Sequence, residues 1–199
     1  LLPFEIIEFG QYPQGSNGEL APIQWYVLQD REDGSKLLMS KYVLDVHEYF
    51  DSTQEHDTWE ESAVRAWLNG EFLEAAFDAD ELARIDESKV APSVNPLTGE
   101  DSGYGTIDQV FLMGLDEFVD IFSIPEGILT GEAENASDCS ELLSANATDY
   151  AVAQGVDTFV RKEDQVYGGW FMRTPSDGGL AAVYATGTLG KFGASSSKG

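Results

Sequence analysis

Short apolar segments, each closed by Gly, Pro or an Asx-Gly pair, recur from Ile6 to Phe192, and this punctuation dictates mostly strands with a few short helices. Ile6-Ile7-Glu8-Phe9-Gly10-Gln11-Tyr12-Pro13 reads as a strand, and Ile23 to Leu28 as a second. Turn chemistry at Gln14-Gly15-Ser16-Asn17-Gly18 lies between them. Asp33-Gly34 then predicts a hairpin into Lys36-Leu37-Leu38-Met39-Ser40.

Helical spacing enters at Thr58. With Glu61 three residues on it forms a capping-box pattern, and Val64, Trp67, Leu68 and Phe72 follow at helical spacing until Asn69-Gly70 interrupts. That spacing predicts a buried Trp67. Asp78 with Glu81 repeats the box, with Leu82 and Ile85 on the apolar face. Residues 91–108, rich in Pro and Gly, read as a loop; Val110 to Met113 as a buried strand; Leu115 to Phe122 as a helix; and 123–145 as a mobile acidic surface loop. Thr148 to Gln154 is a short helix ended by Gly155. Gly168 to Pro175, Leu180 to Tyr184 and Thr188 to Phe192 return to strands. The expected fold class is α+β, in one domain over residues 1–199.

Composition narrows the partners. Eleven Lys+Arg against 36 Asp+Glu give a net charge of −25, which disfavours nucleic acid and anionic membrane surfaces, since both reward clustered cations. A soluble, self-repelling surface explains this charge; divalent cations or a basic partner are the sharper alternatives. No apolar run approaches the roughly 18 residues of a membrane-spanning helix, so membrane insertion is not expected. Cys139 is alone and reads as an inert thiol. The chain begins at Leu1 without Met and reads as a processed piece, which leaves a signal or anchor upstream open.

The ordered fragments FGQYPQ (Phe9 to Gln14), PIQWYVL, LLMSKYVLD, TWEESAVRAWLNGEFLEAAF, QVFLMGLDE, TDYAVAQG and GGWFMRTPSDGG (Gly168 to Gly179) together resemble a bacterial family of unknown function. The C-terminal half of that family is similar to the C-type-lectin-like fold. The resemblance implies a mixed, twisted antiparallel sheet with two to four helices and a cell-surface or secreted setting. It further implies a terminal strand beyond a Ser/Gly-rich turn, whereas the sequence stops at Gly199. A vacant strand position near Trp170 to Phe192, or one filled by a strand or domain from the same longer chain, is therefore expected. The lectin-like relatives place their variable binding surface near the C-terminal strands. Carried onto this sequence, that surface takes in Trp170, Arg173, Asp177, Tyr184, Thr186, Lys191 and Phe192 as candidate ligand contacts. Ordinary sheet packing explains Tyr184, Thr186, Thr188, Lys191 and Phe192 equally well. Arg173, in an apolar strand, is also explained by pairing to a carboxylate or to carbonyls, because a buried unpaired charge is costly.

Catalytic patterns are sparse. There is no EF-hand loop and no calcium-lectin tripeptide, and Val94-Asn95-Pro96 is only a partial echo of one. Asp51, Glu55, His56 and Asp57 are the densest potential metal ligands, but acidic residues before a helix N-terminus have the same look. Gly187, Gly190 and Gly193 lack the Lys-Ser/Thr ending of a phosphate loop, and no Gly-x-Ser-x-Gly elbow occurs. Formylglycine-generating chemistry would, by the resemblance, need two cysteines. The expectation is a non-catalytic recognition module binding protein or glycan, without a cofactor, at a cell surface or in a secreted protein. A spacer domain is the alternative, and an enzyme of formylglycine-generating-like fold a more distant one.

Overall fold

The structure is a computed structural model describing residues 4–49, 58–129, 144–162, 165–176, 179–186 and 188–193. It is an α+β fold in which, among those residues, the strands form four small sheets.

The first sheet is an antiparallel meander of β1 (Ile6–Pro13), β2 (Leu20–Asp30) and β3 (Lys36–Ser40). Gly34, at φ +87°, turns the β2–β3 hairpin, as its Asx-Gly signal predicts. Alternation along β2 buries Ile23, Trp25 and Val27 on one face. Gly10 sits in the β1 bulge at φ +73°, where a Cβ would meet the Phe77 ring at 2.5 Å, so only glycine lets strand and helix approach.

The helix after Thr58 departs from expectation at both ends. Its N-cap is Ser62, whose hydroxyl accepts from Arg65 N–H at 3.2 Å, and α1 is Ala63–Trp67. Thr58 lies a turn earlier. Its neighbour Trp59 is fixed by the Ser102 carbonyl, and the Tyr49 carbonyl receives Ala63 N–H, so tertiary contacts choose the start. Asn69-Gly70 does not end the helix either. The chain passes through one π-helical turn, Leu68–Phe72, into α2 (Leu73–Ala76). The Asn69 amide is occupied outside the helix as well, donating to Val110 O and accepting from Gln109 and Val110 N–H. Val64, Leu68 and Phe72 are buried, while Trp67 is half-buried, packed against Phe72 and stacked on His47, 4.8 Å between rings. At α3 (Ala79–Leu82) both capping-box hydrogen bonds of Asp78 and Glu81 form as expected.

Beyond α3, β5 (Ser88–Val90) pairs with β6 (Thr106–Asp108) and closes the neck of the 91–105 loop. Residues 110–113 are not a strand. Their backbone is held piecemeal by Asn69 and by Arg173, whose N–H donates to Met113 O at 3.1 Å. α4 (Leu115–Phe122) has the expected bounds, and α5 (Glu126–Leu129) follows it. Residues 130–143 of the expected 123–145 loop lie outside the described residues, and its last residue, Ala145, opens a short strand.

A third sheet joins distant segments in the order β4 (Tyr42–Val43), β7 (Ala145–Ala147), β9 (Gln165–Gly168) and β8 (Thr158–Lys162), with β4 and β7 parallel. Between β7 and β8, α6 (Asp149–Gln154) is capped by Thr148 and closed by Gly155 at φ +97°. The last sheet is antiparallel, β10 (Trp170–Ser176), β11 (Gly179–Val183) and β12 (Leu189–Gly193). β11 is paired on both sides, the 112–115 segment lies against β10, and β12 is the outer strand among the described residues.

One apolar cluster draws on both ends of the sequence, gathering Tyr12, Ile23 and Trp25 with Leu68, Phe72, Phe77, Phe171, Leu180 and Ala182. A second packs Leu115 and Phe118 of α4 on Met172, Ala181 and Val183. The second cluster sets α4 on the last sheet, and the Ser93–Thr174 and Asn95–Pro175 hydrogen bonds bring the 91–105 loop beside them.

Candidate functional site

At that junction the described residues open a cleft of about 210 Å³, lined by Asn95, Leu97, Leu115, Leu129, Ser176, Ala181 and Leu189. α4 contributes Leu115, α5 Leu129, and the last sheet the remainder of the floor; the loop supplies Asn95 and Leu97. Its walls are mainly aliphatic, with Leu97 48% exposed at the rim and Val94 43% exposed beside it in the sequence.

What surrounds the cleft is a set of buried polar ties. Leu115 N–H donates to Thr174 Oγ1 at 2.7 Å, the Thr174 hydroxyl pairs with Ser93, and the Ser93 hydroxyl donates to Asp116 Oδ1 at 2.5 Å. Because Ser93 has one proton and gives it to Asp116, Thr174 is the donor of the pair, and every hydrogen in the relay is committed. Gly114 is required beneath it, since a Cβ there would lie 2.4 Å from Ser93 Oγ. Asn95 Nδ2 donates to Pro175 O at 3.1 Å while its Oδ1 accepts from Leu97 and Thr98 N–H, so the residue that echoes a calcium motif is consumed in shaping the loop.

Arg173 anchors the other side. It is 1% exposed, and its guanidinium holds Glu117 through two hydrogen bonds of 2.7 Å each, with Leu112 O at 2.6 Å and Ala91 O at 3.3 Å. Glu117 also accepts from Gly114 N–H at 2.9 Å, so one carboxylate caps α4 and neutralises the arginine. This is the pairing with carboxylate and carbonyls that an arginine in an apolar strand calls for.

The other candidate contacts are distributed differently. Trp170 is half-buried, edge-on to Phe118 at 5.8 Å, between the second apolar cluster and a third around Val43. Tyr184 is half-buried, its N–H donating to Thr188 O, and Thr186 is exposed with its hydroxyl 3.0 Å from that of Thr188. Lys191 and Phe192 pair through their backbones with Ala181 and Leu180. Asp177 lies outside the described residues, as do Cys139 and the Asp51, Glu55, His56 and Asp57 cluster. Ala181 on the cleft floor thus shares a rung with Lys191, but the cleft itself is made by residues that sequence reasoning did not select. Asn95-Pro96 marked the loop, yet no periodicity singles out Leu97, Leu129 or Leu189.

Elsewhere, Asp108 is fully buried between Arg65 Nε at 2.7 Å, Trp59 Nε1 at 3.1 Å and Thr106, which fixes the neck of the loop. Burial, reinforced by Asp45 at 2.5 Å, drives the Tyr12 phenol well above its ordinary range, and burial does the same to Tyr49. Among the described residues no three His, Cys, Asp or Glu side chains group to hold a metal ion, and no helix is long and apolar enough to cross a membrane.

These features define an α+β domain whose cleft is built on a polar frame. The chain belongs to the family described as Domain of unknown function (DUF6273), whose model matches residues 33–199. The match starts inside the β2–β3 hairpin, although β1 and β2 supply Tyr12, Ile23 and Trp25 to the shared core. No curated protein and no solved structure matches the chain.

Proposed function

We propose that this domain is a non-catalytic recognition module, C-type-lectin-like in its C-terminal half and working at a cell surface or in a secreted protein, that holds a protein ligand in the cleft beside α4. The observation that carries this reading is an aliphatic cleft on a fixed polar frame. The two buried hydroxyls of that frame, on Ser93 and Thr174, are 0% exposed and have their protons committed, so they serve geometry rather than attack, and Ser176 is the hydroxyl that lines the cleft itself. Leucine walls reward an apolar side chain, each fully buried one contributing about 2 kcal/mol, whereas a sugar ring asks for aromatic faces and open polar groups.

The test is binding by a panel of immobilised proteins and glycans, comparing wild type with Ala181→Leu, which fills the floor, and with Leu97→Ser at the exposed rim. Protein ligands should be retained by wild type and lost by both variants, at unchanged Tm for Leu97→Ser and with a lowered but still cooperative transition for Ala181→Leu, since Ala181 is 3% exposed. Binding that ignores both substitutions overturns the assignment of the cleft, and capture of glycans alone overturns the ligand class. A spacer domain predicts no specific retention at all.

A further inference from the structure

Resting on that reading, we infer that the partner is a basic polypeptide segment that inserts one aromatic or branched aliphatic side chain into the cleft. Size sets the anchor. A closed apolar cavity of about 150 Å³ accepts benzene, and this cleft measures about 210 Å³. It therefore takes one ring or branched chain, and the exposed Leu97 at its mouth is placed to cover the entering group.

Charge sets the flanks. From Val90 to Leu129 the sequence holds seven Asp and Glu and no Lys, Arg or His, and this stretch supplies the loop, α4 and α5 that form three sides of the cleft. Two of its carboxylates are neutralised by arginines from outside the stretch, Asp108 by Arg65 and Glu117 by Arg173. The surplus leaves the apolar cleft in a negative field that low-dielectric walls concentrate. A neutral glycan gains nothing from that field. A second copy of this chain, also at −25, is repelled by it. A polypeptide with Lys or Arg on either side of one apolar residue answers both the cavity and the field.

The experiment is selection of a random 12-residue peptide library displayed on phage against the whole chain at low salt, followed by fluorescence anisotropy on synthetic copies of the enriched peptides. Enriched peptides should carry several Lys or Arg around one Phe, Trp, Leu or Ile. Replacing that residue by Ala should weaken binding about tenfold, as for an interface hot spot, and raising salt from about 0.05 to 0.3 M should weaken it about tenfold through screening. Leu97→Gln should weaken it severalfold at unchanged Tm. Enriched peptides that are neutral or acidic, or whose binding ignores salt, overturn the inference; if Leu97→Gln still weakens them, the recognition reading stands. Basic peptides indifferent to the anchor and to Leu97→Gln overturn it too, as charge-only binders. If no peptide and no arrayed glycan binds in a way that responds to Leu97→Gln, both readings fall.

Discussion

Removing the carboxylate of Glu117 should be the most informative single perturbation of this fold. Arg173 is 1% exposed and gives Glu117 two hydrogen bonds of 2.7 Å, so Glu117→Ala leaves a buried guanidinium with only the Leu112 and Ala91 carbonyls. Breaking a buried pair in this way costs about 3–5 kcal/mol. The Glu117 side chain is 36% exposed, so water can partly replace it, which places the expected loss at the lower end, about 3 kcal/mol. Loss of the α4 cap at Gly114 N–H is included in that figure. Glu117→Gln keeps the shape and one acceptor and should cost about half as much, in the range of a hydrogen bond to a charged group. Arg173→Met removes the charge instead, and a double variant should be less destabilised than the sum of the singles by about 2 kcal/mol, since the second change no longer orphans a partner. Urea unfolding of the wild type and the four variants, with slopes compared, measures this directly. A Glu117→Ala loss under about 1 kcal/mol, the scale of exposed pairs, would refute the account of Arg173 as held by this carboxylate.

Three further outcomes are expected. Ser62→Ala should cost about 1 kcal/mol as loss of an N-cap, while the loss expected at Thr58 had it been the cap should not appear in helix content by circular dichroism. The absorbance of the phenolates at 295 nm should show Tyr12 and Tyr49 silent while other tyrosines ionise. Because their folded-state pKa lies above the unfolded value of about 10, the stability they contribute is complete below that pH and is lost as pH rises through the folded value, so they should ionise only as the protein opens in alkali. Calorimetry should give one thermal transition, because Tyr12 and Ile23 share a core with Phe171 and Leu180; two separated transitions would contradict it.

Local chemistry was legible wherever one residue type settles one backbone choice. Asp33-Gly34, the Asp78/Glu81 box and the Thr148 to Gly155 caps all stand where the sequence puts them. It failed where neighbours decide. Ser62 and Thr58 are both plausible caps by type, and only the Tyr49 and Ser102 carbonyls select between their turns. Trp67 fits the apolar stripe and does pack against the core at Phe72, but His47 stacks on it, and it is half-buried rather than buried. Ala145-Asn146-Ala147 carries no strand signal because its ladder is supplied by β4 and β9. The cleft was least legible, since it is assembled from single leucines on four elements.

The parallel pairing of β4 with β7 sets a timetable for the nascent chain. Tyr42 meets Asn146 and Val43 meets Ala147, so about a hundred residues must be synthesised before β4 has its partner. At ribosomal rates of ~5–20 residues per second this is a wait of about 5–20 s. The β1–β3 meander can form at once and Phe72 and Phe77 soon reach Tyr12 and Trp25, but the shared core stays open on its other side until Phe171 and Leu180 arrive from the far end. During that interval the ribosome displays an incompletely covered apolar core, the kind of transiently exposed surface that is aggregation-prone until its last strands arrive.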